Sequence, residues 1–186
     1  MSKDILKYVW FLLVPWKFNT IYVGDCKNRK LWGIIPCYYA AFGLFNKTGI
    51  DLPSESSSIF FKSTDTIRPI ELATMSFGQR VNVTPIQLVT AVSAIANDGV
   101  LMKPRIVKQI INTDTNTVTD IEPVEVRQVI SKSTSERMRD LMESVVTDGS
   151  GRTAQVSGYS IGGKTGTSEP PVGKEEEGYI ASYIAI

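Results

Sequence analysis

The sequence predicts a domain of the α/β (α+β) class, with helices packed on an antiparallel sheet. Two segments begin with helix-capping patterns followed by apolar residues at helical spacing, and two others have the alternation and turns of β-hairpins. The 186 residues, 42% of them apolar, are enough to bury the core of one domain. A net charge of +1 gives no electrostatic reason to expect a nucleic acid partner.

Residues 1–37 differ in composition from the rest, because they hold all three tryptophans and both cysteines. We therefore divide the chain into an atypical head, residues 1–37, and a domain, residues 38–186. We hypothesise that the head is an aberrant start of the kind that a frameshift, a rearrangement or a misplaced start codon produces. Its apolar run, Tyr8–Val14, is far shorter than the roughly 20 residues that a membrane-spanning helix needs, so no transmembrane segment is expected.

Cysteine and histidine usage limits the chemistry. Cys26 and Cys37 are able to pair as a disulfide, but we expect two ordinary thiols. The absence of histidine excludes Ser-His-Asp and Cys-His catalysis within this chain and removes the commonest metal ligand. Neither a metal nor a cofactor is expected.

The first two helices are predicted from their ends. Residues 38–44 are expected to close a helix with Gly43 as its C-terminal glycine. Thr84, Pro85 and Gln87 are typical of a helix start, since threonine caps, proline suits the first turn and glutamine completes a capping box. The residues expected to face the core, before Gly99 ends this second helix, are Ile86, Val89, Val92, Ile95 and Ala96.

The middle of the chain predicts a hairpin and a third helix. Residues 105–111 and 118–121 flank a polar turn and read as two paired strands. Ser133–Glu136 is a second capping box, and the inward residues after it are Met138, Leu141, Met142, Val145 and Val146. Residues 149–153 are expected to be a flexible link.

The last segment predicts another hairpin. Its first strand is residues 159–168, its loop is residues 170–178 with Lys174–Glu177 as a solvated tip, and its second strand is residues 179–186. The chain stops on this apolar strand, so we expect the fold to be incomplete at both ends.

The candidate site is the stretch Ile161–Ser168. Gly166 allows a ligand to approach the backbone closely, because glycine has no Cβ. Lys164 adds a positive charge, and the hydroxyls of Thr165 and Thr167 add hydrogen-bond donors for a substrate carboxylate.

The same stretch also matches a phosphate-binding loop. Gly158 through Thr165 satisfies G-x-x-x-x-G-K-[ST], a motif that needs a helix directly after it to hold the phosphates. Here Gly166 and Pro170-Pro171 follow, which disfavours a helix.

The sequence resembles a known family. Lys164-Thr165-Gly166 with its flanks, residues 155–169, is similar to the K-T-G region of class B penicillin-binding proteins, the monofunctional transpeptidases of division, elongation and sporulation. Residues 75–100 and 42–53 resemble other segments of the same family, and the resemblance covers about residues 38–186 in order.

The resemblance implies a β-lactamase/transpeptidase-like fold and a D,D-transpeptidase activity. In the family, a serine in S-x-x-K attacks the penultimate D-Ala carbonyl of a peptidoglycan stem peptide, and β-lactams trap that serine. By this likeness Lys164 assists proton traffic and offsets the substrate carboxylate's charge, while Thr165 and Thr167 hydrogen-bond that carboxylate. The Thr167 N–H is then one of two oxyanion-hole donors.

Two family motifs are missing from this sequence. No serine has a lysine three residues later, and no S-x-N occurs; Asn19 is a possible remnant of S-x-N, with Lys17 at the serine position. Without the nucleophile the covalent route is closed, so we expect the chain to be inactive alone.

The resemblance leaves three interpretations open: a fragment of a transpeptidase, a non-catalytic degenerate product that binds stem peptide or a division partner, or a relative of β-lactamases or β-lactam sensors. It implies D-Ala-D-Ala stem peptides, β-lactams and cell-wall synthesis proteins as partners. It also implies a parent protein in the cell membrane with this domain outside the cytoplasm.

Overall fold

The computed structural model describes residues 34–57, 78, 81–168, 170, 176 and 178–186. Most of the predicted head and most of the Lys174–Glu177 tip lie outside these ranges. The helices are α1 Ile34–Ala41, α2 Pro85–Ala96 and α3 Lys132–Thr147, and the strands are β1 Val100–Met102, β2 Gln109–Asn112, β3 Thr117–Asp120, β4 Glu125–Gln128, β5 Gly163–Ser168 and β6 Ile180–Ala185. Within them no helix has the length and apolarity to cross a membrane.

The described strands pair entirely antiparallel, as predicted, but as three two-stranded sheets rather than one: β1 with β4, β2 with β3, and β5 with β6. The β2–β3 pair confirms the predicted central hairpin, and the β5–β6 pair confirms the last one. The pairing of β1 with β4 was not predicted, because these short segments lie on either side of the β2–β3 hairpin in the sequence and become neighbours only once that hairpin has formed.

Helix α2 begins as predicted. The Thr84 hydroxyl accepts from the Gln87 N–H at 3.3 Å, and the Gln87 side chain accepts from the Thr84 N–H at 2.9 Å. Gln87 is 1% exposed, and its amide group also donates to the carbonyls of Leu44 and Asn46, at 3.3 and 2.6 Å. One buried side chain therefore caps the helix and holds the turn that follows α1.

The buried face of α2 is only partly the one predicted, because Ile95 is buried as expected but the other buried positions differ. Val89 is 52% exposed, and Ala96 is exposed as well. The buried positions are Gln87, Ala91, Ala94 and Ile95. A prediction based on large apolar residues misses this face, because it consists mainly of a hydrogen-bonded glutamine and of alanines, which allow close packing.

The turn from α2 to β1 depends on two left-handed residues. Asp98 has φ +50° and Gly99 has φ +85°. A Cβ on Gly99 would lie 2.1 Å from the Ile130 carbonyl oxygen, and the Gly99 carbonyl accepts from the Val129 N–H at 2.8 Å. Only glycine lets the end of β4 approach this closely.

Helix α3 begins two residues before the predicted cap. Ser131 is the capping residue, and its hydroxyl accepts from the Thr134 N–H at 3.2 Å. The prediction of Ser133 was wrong because the sequence offers several adjacent serines and threonines, and each has a side chain able to cap.

Helix α3 also caps the end of α2. The Ser135 hydroxyl donates to the Ile95 carbonyl at 2.5 Å, and Arg139 donates to the Ala96 carbonyl at 3.1 Å. The Arg139 guanidinium and the Lys132 ammonium both bond the Asp98 carboxylate, at 3.2 and 2.9 Å. A cation at a helix C-terminus stabilises it, so these side chains of α3 stabilise the end of α2.

The core lies where α1, α2 and α3 meet the β1–β4 pair. Its buried members are Ala41, Ala94, Ile95, Leu101, Val129 and Ile130, with Tyr38, Phe42, Met138 and Met142 packed against them. Val145 and Val146, farther along α3, are buried as predicted.

Helix α1 ends near its predicted glycine, since Gly43 has φ +78° just after Ala41. The thiol expected at Cys37 is wrong, because this cysteine is disulfide-bonded. Sequence alone does not decide such pairing, which depends on the separation of the two Cα atoms.

Candidate functional site

The predicted motif forms strand β5. Its cross-strand partners run in unbroken register, from Gly163 opposite Ala185 to Ser168 opposite Ile180. A strand here, where the phosphate-binding loop would need a helix, is the outcome that the following glycine and prolines predicted.

The register fixes which way each backbone group of β5 points. Just before the strand, Gly162 and Ile186 exchange both N–H···O bonds, at 3.0 and 2.8 Å. In an antiparallel pair such doubly bonded positions alternate with unbonded ones. Lys164 and Gly166 therefore bond to β6, whereas the N–H and C=O groups of Thr165 and Thr167 point toward the opposite edge.

That opposite edge of β5 carries no partner strand in the described ranges. At this edge the Thr167 N–H points away from β6, where it can donate a hydrogen bond to a ligand that lies along the strand. The Thr165 carbonyl is directed the same way, two residues earlier.

Lys164 reaches this edge from the other face. Side chains alternate along a strand, so the Lys164 side chain leaves opposite to those of Thr165 and Thr167. Its ammonium nonetheless donates to the Thr165 carbonyl at 2.5 Å, which brings the positive charge around to the open edge. Partial burial lowers the pKa of Lys164 below the usual 10.5, because desolvation disfavours the charged form.

Gly166 lies between the two threonines on the lysine face. A Cβ there would come within 2.6 Å of the Ser182 hydroxyl on β6. The missing side chain makes room for Ser182 of β6, so the close approach at Gly166 in the structure is that of the neighbouring strand, and the approach of a ligand stays a prediction.

Two residues at the site were not predicted. Ser150, in the turn between α3 and β5, has its hydroxyl 3.2 Å from that of Thr165. Tyr183 on β6 lies opposite Thr165, and its hydroxyl oxygen is 2.0 Å from where a Cβ of Gly163 would be. The one feature of the sequence that pointed to these contacts was the pair Gly149 and Gly151, because closely spaced glycines are typical of close backbone approach as well as of flexibility.

The turn that carries Ser150 is ordered by backbone bonds rather than being a flexible link. The Gly151 N–H donates to the Val145 carbonyl at 2.9 Å, and the Ala154 N–H donates to the Gly151 carbonyl at 2.9 Å. Residues Arg152–Ala154 form one turn of 3₁₀-helix. The segment was misjudged because glycine and serine favour both flexible links and tight turns.

The structure thus brings Lys164, Thr165, Gly166 and Thr167 together with Ser150 and Tyr183. Asn19, the predicted remnant of a second motif, lies outside the described residues. In the described part of the chain, no three histidine, cysteine, aspartate or glutamate side chains come together in a way that could hold a metal ion.

The chain is similar in sequence to one family over most of its length. The family model for the penicillin binding protein transpeptidase domain matches residues 35–186. Stage V sporulation protein D of Bacillus subtilis is 47% identical over 152 residues, covering 80% of this chain and 23% of that protein. Penicillin-binding protein PbpB of Mycolicibacterium smegmatis is 37% identical over 135 residues, covering 69% of this chain and 20% of that protein.

Solved structures agree. A crystal structure of penicillin binding protein 3 from Mycobacterium tuberculosis, complexed with ampicillin, superposes with a TM-score of 0.72 at 29% identity, covering 83% of this chain and 38% of that chain. The transpeptidase domain of Burkholderia pseudomallei penicillin-binding protein 3 gives 0.64 at 31% identity, covering 83% of this chain and 47% of that one. The chain therefore has the fold of these domains and spans less than a quarter of the curated relatives just named.

Proposed function

The chain belongs to the class B penicillin-binding protein transpeptidases, and from this premise we propose that it carries the carboxylate-binding side of a site that cross-links peptidoglycan stem peptides. Its ligand is the D-Ala-D-Ala end of a stem peptide, or a β-lactam that resembles it. The parent protein acts at the cell membrane, with this domain outside the cytoplasm.

The observation that carries the proposal is the open edge of β5. The Thr167 N–H points out along this edge, and the Lys164 ammonium is held there by its 2.5 Å bond to the Thr165 carbonyl. A terminal carboxylate needs a cation and hydroxyl donors, and a carbonyl that becomes an oxyanion needs a backbone N–H. One short strand offers all of these groups.

The roles follow from these positions. Lys164 offsets the charge of the substrate carboxylate, and its lowered pKa suits it to proton transfer. The hydroxyls of Thr165 and Thr167 hydrogen-bond that carboxylate. The Thr167 N–H is one donor of the oxyanion hole, and in the family the other is the amide of the attacking serine.

The chain alone does not supply the covalent step. In a D,D-transpeptidase a serine oxygen attacks the D-Ala carbonyl, the serine proton passes to the neighbouring lysine, and the terminal D-Ala leaves. No S-x-x-K occurs among the 186 residues, so neither that oxygen nor that lysine is present. We propose that the chain binds the ligand without forming an acyl-enzyme.

The missing serine also favours a second candidate, a non-catalytic protein that binds stem peptide or a cell-wall synthesis protein. The two proposals differ in whether the reaction is completed by an S-x-x-K serine encoded with this chain. Sequencing upstream of the gene separates them, because an S-x-x-K in the same frame supports the transpeptidase and an intact gene without one supports the binding protein.

Labelling of the purified chain with a fluorescent penicillin, followed by denaturing electrophoresis, tests the absence of acylation. We expect no covalent band from protein that circular dichroism shows to be folded. A band that disappears on prior boiling and on competition with unlabelled penicillin would mean that another serine is the nucleophile, and the proposal of an inactive chain would be wrong.

A further inference from the structure

Two hydroxyl groups meet beside the motif strand, and only one of them belongs to the motif. The oxygen of Ser150 lies 3.2 Å from the side-chain oxygen of Thr165. We propose that Ser150 is a positioning residue, which holds the Thr165 hydroxyl with its proton directed at the ligand carboxylate. The proposal rests on the proposed function, because it assigns a direction to a hydrogen bond of that same site.

The direction follows from the number of protons. A hydroxyl donates one hydrogen bond and accepts others, whereas a carboxylate only accepts. When Thr165 binds a carboxylate, its single proton is used on the ligand. Toward Ser150 it is then an acceptor, so Ser150 must donate. A bond that Thr165 accepts also polarises the one that it donates, and bonds to a charged acceptor are the stronger kind.

Ser150 is held in place by the glycines on either side of it. A Cβ on Gly149 would lie 2.8 Å from the Val145 carbonyl oxygen, and one on Gly151 would lie 3.1 Å from the same oxygen. The Gly151 N–H donates to that carbonyl at 2.9 Å. The turn therefore packs directly against the end of α3, and this contact fixes the position of the Ser150 backbone.

Tyr183 lies close to both this turn and the strand. Its hydroxyl oxygen is 2.0 Å from the position of a Cβ on Gly163 and 3.1 Å from the position of one on Gly151. The hydroxyl end of its ring thus lies between Gly163 of β5 and Gly151 of the turn. Tyr183, which is outside the motif, therefore lies against both the turn that carries Ser150 and the strand that carries Thr165.

Ligand binding to the full chain tests the proposal. The probes are diacetyl-L-Lys-D-Ala-D-Ala and the same peptide with a C-terminal amide, followed by NMR titration of the chain and of Ser150→Ala and Ser150→Thr. We expect Ser150→Ala to weaken binding of the acid by about three- to tenfold, the range of one hydrogen bond, and to leave the weaker binding of the amide unchanged. Ser150→Thr keeps the donor and should stay within about twofold of the unmutated chain.

The matched control is Ser160→Ala. Ser160 is another exposed serine near the start of β5, but its hydroxyl bonds the Glu143 carboxylate at 2.7 Å instead of a motif residue. We expect this variant to bind both peptides as the unmutated chain does. In the absence of ligand, the Thr165 methyl resonance should shift in Ser150→Ala and remain in place in Ser160→Ala.

Each outcome decides something. If the unmutated chain fails to bind the acid, the proposed function is wrong and the inference falls with it. If it binds the acid and Ser150→Ala binds equally well, only the positioning role is wrong. An equal loss of acid and amide binding, or a loss in Ser150→Thr as large as in Ser150→Ala, would show that the serine acts through packing and would overturn the inference.

Discussion

Replacing Gly99 by alanine should destabilise the fold more than the same change at Gly158. Both glycines have φ +85°, so an alanine at either position pays the same left-handed backbone cost, about 1–2 kcal/mol. They differ in surroundings, since nothing lies within 4 Å of a Cβ at Gly158, whereas a Cβ at Gly99 meets the Ile130 carbonyl oxygen at 2.1 Å. Gly158→Ala is therefore a matched control for backbone strain.

The excess cost at Gly99 follows from what must move. The clashing atom is backbone, so relief requires the end of β4 to withdraw from the turn. That movement breaks the bond from the Val129 N–H to the Gly99 carbonyl, 2.8 Å, and the bond from the Gln128 amide to the Asp98 carbonyl, 2.9 Å. Two such bonds and the loosened packing of Val129 and Ile130 sum to about 2–4 kcal/mol beyond the control.

Urea denaturation followed by circular dichroism measures both variants. We expect Gly158→Ala to lose about 1–2 kcal/mol of unfolding free energy and Gly99→Ala about 3–6 kcal/mol. A difference between the two below about 0.5 kcal/mol, within the error of the extrapolation, would refute the argument that the turn and β4 are in contact through backbone.

Three further predictions concern other contacts. Gln87→Leu leaves the carbonyls of Leu44 and Asn46 without the amide that they accept from, and should cost about 2–4 kcal/mol in urea denaturation, whereas Leu88→Ala, at a 41% exposed neighbour, should cost much less. Bonds from Lys132 and Arg139 lower the pKa of Asp98, so the stabilisation that they give is present above the ordinary carboxyl pKa and is lost as pH falls through the lowered one. The difference in unfolding free energy between the unmutated chain and Asp98→Asn should therefore shrink with falling pH, and a difference that stays constant would contradict this. Burial lowers the pKa of Lys164, so its ammonium loses its proton as pH rises toward 10.5, and NMR titration should show carboxylate binding weakening over that range, while Lys164→Met binds weakly throughout. The stability of the fold should change in the opposite direction: the unfolded chain binds the lysine proton more tightly, so the free energy of unfolding rises as pH rises through that range.

Local signals in the sequence were enough to predict most of the described elements. The capping box at Thr84, the turn between β2 and β3, and the proline-glycine punctuation around the motif each act over a few residues, and the structure has a helix, a hairpin and a strand at these places. The motif strand could be found because Lys164-Thr165-Gly166-Thr167 is contiguous.

Features that depend on distant residues were missed. The buried face of α2 is set by Gln87 bonding to the turn after α1, 41 and 43 residues earlier in the chain. The contact between Ser150 and Thr165 and the packing of Tyr183 on Gly163 are likewise products of tertiary folding. No periodicity or spacing encodes them, so only the glycines hinted at close approach.

The alternation of bonded and outward-facing groups along β5 gives the strand an uneven exposure to solvent exchange. In heavy water the amides of Lys164 and Gly166, which bond to β6, should retain their hydrogens, while those of Thr165 and Thr167 should take up deuterium early. Deuterium uptake along this strand should therefore alternate, with each protected amide followed by one that exchanges early. A bound ligand whose carbonyl oxygen accepts from the Thr167 N–H should slow exchange at that amide and leave the others unchanged, so that occupancy of the site becomes readable from a single amide.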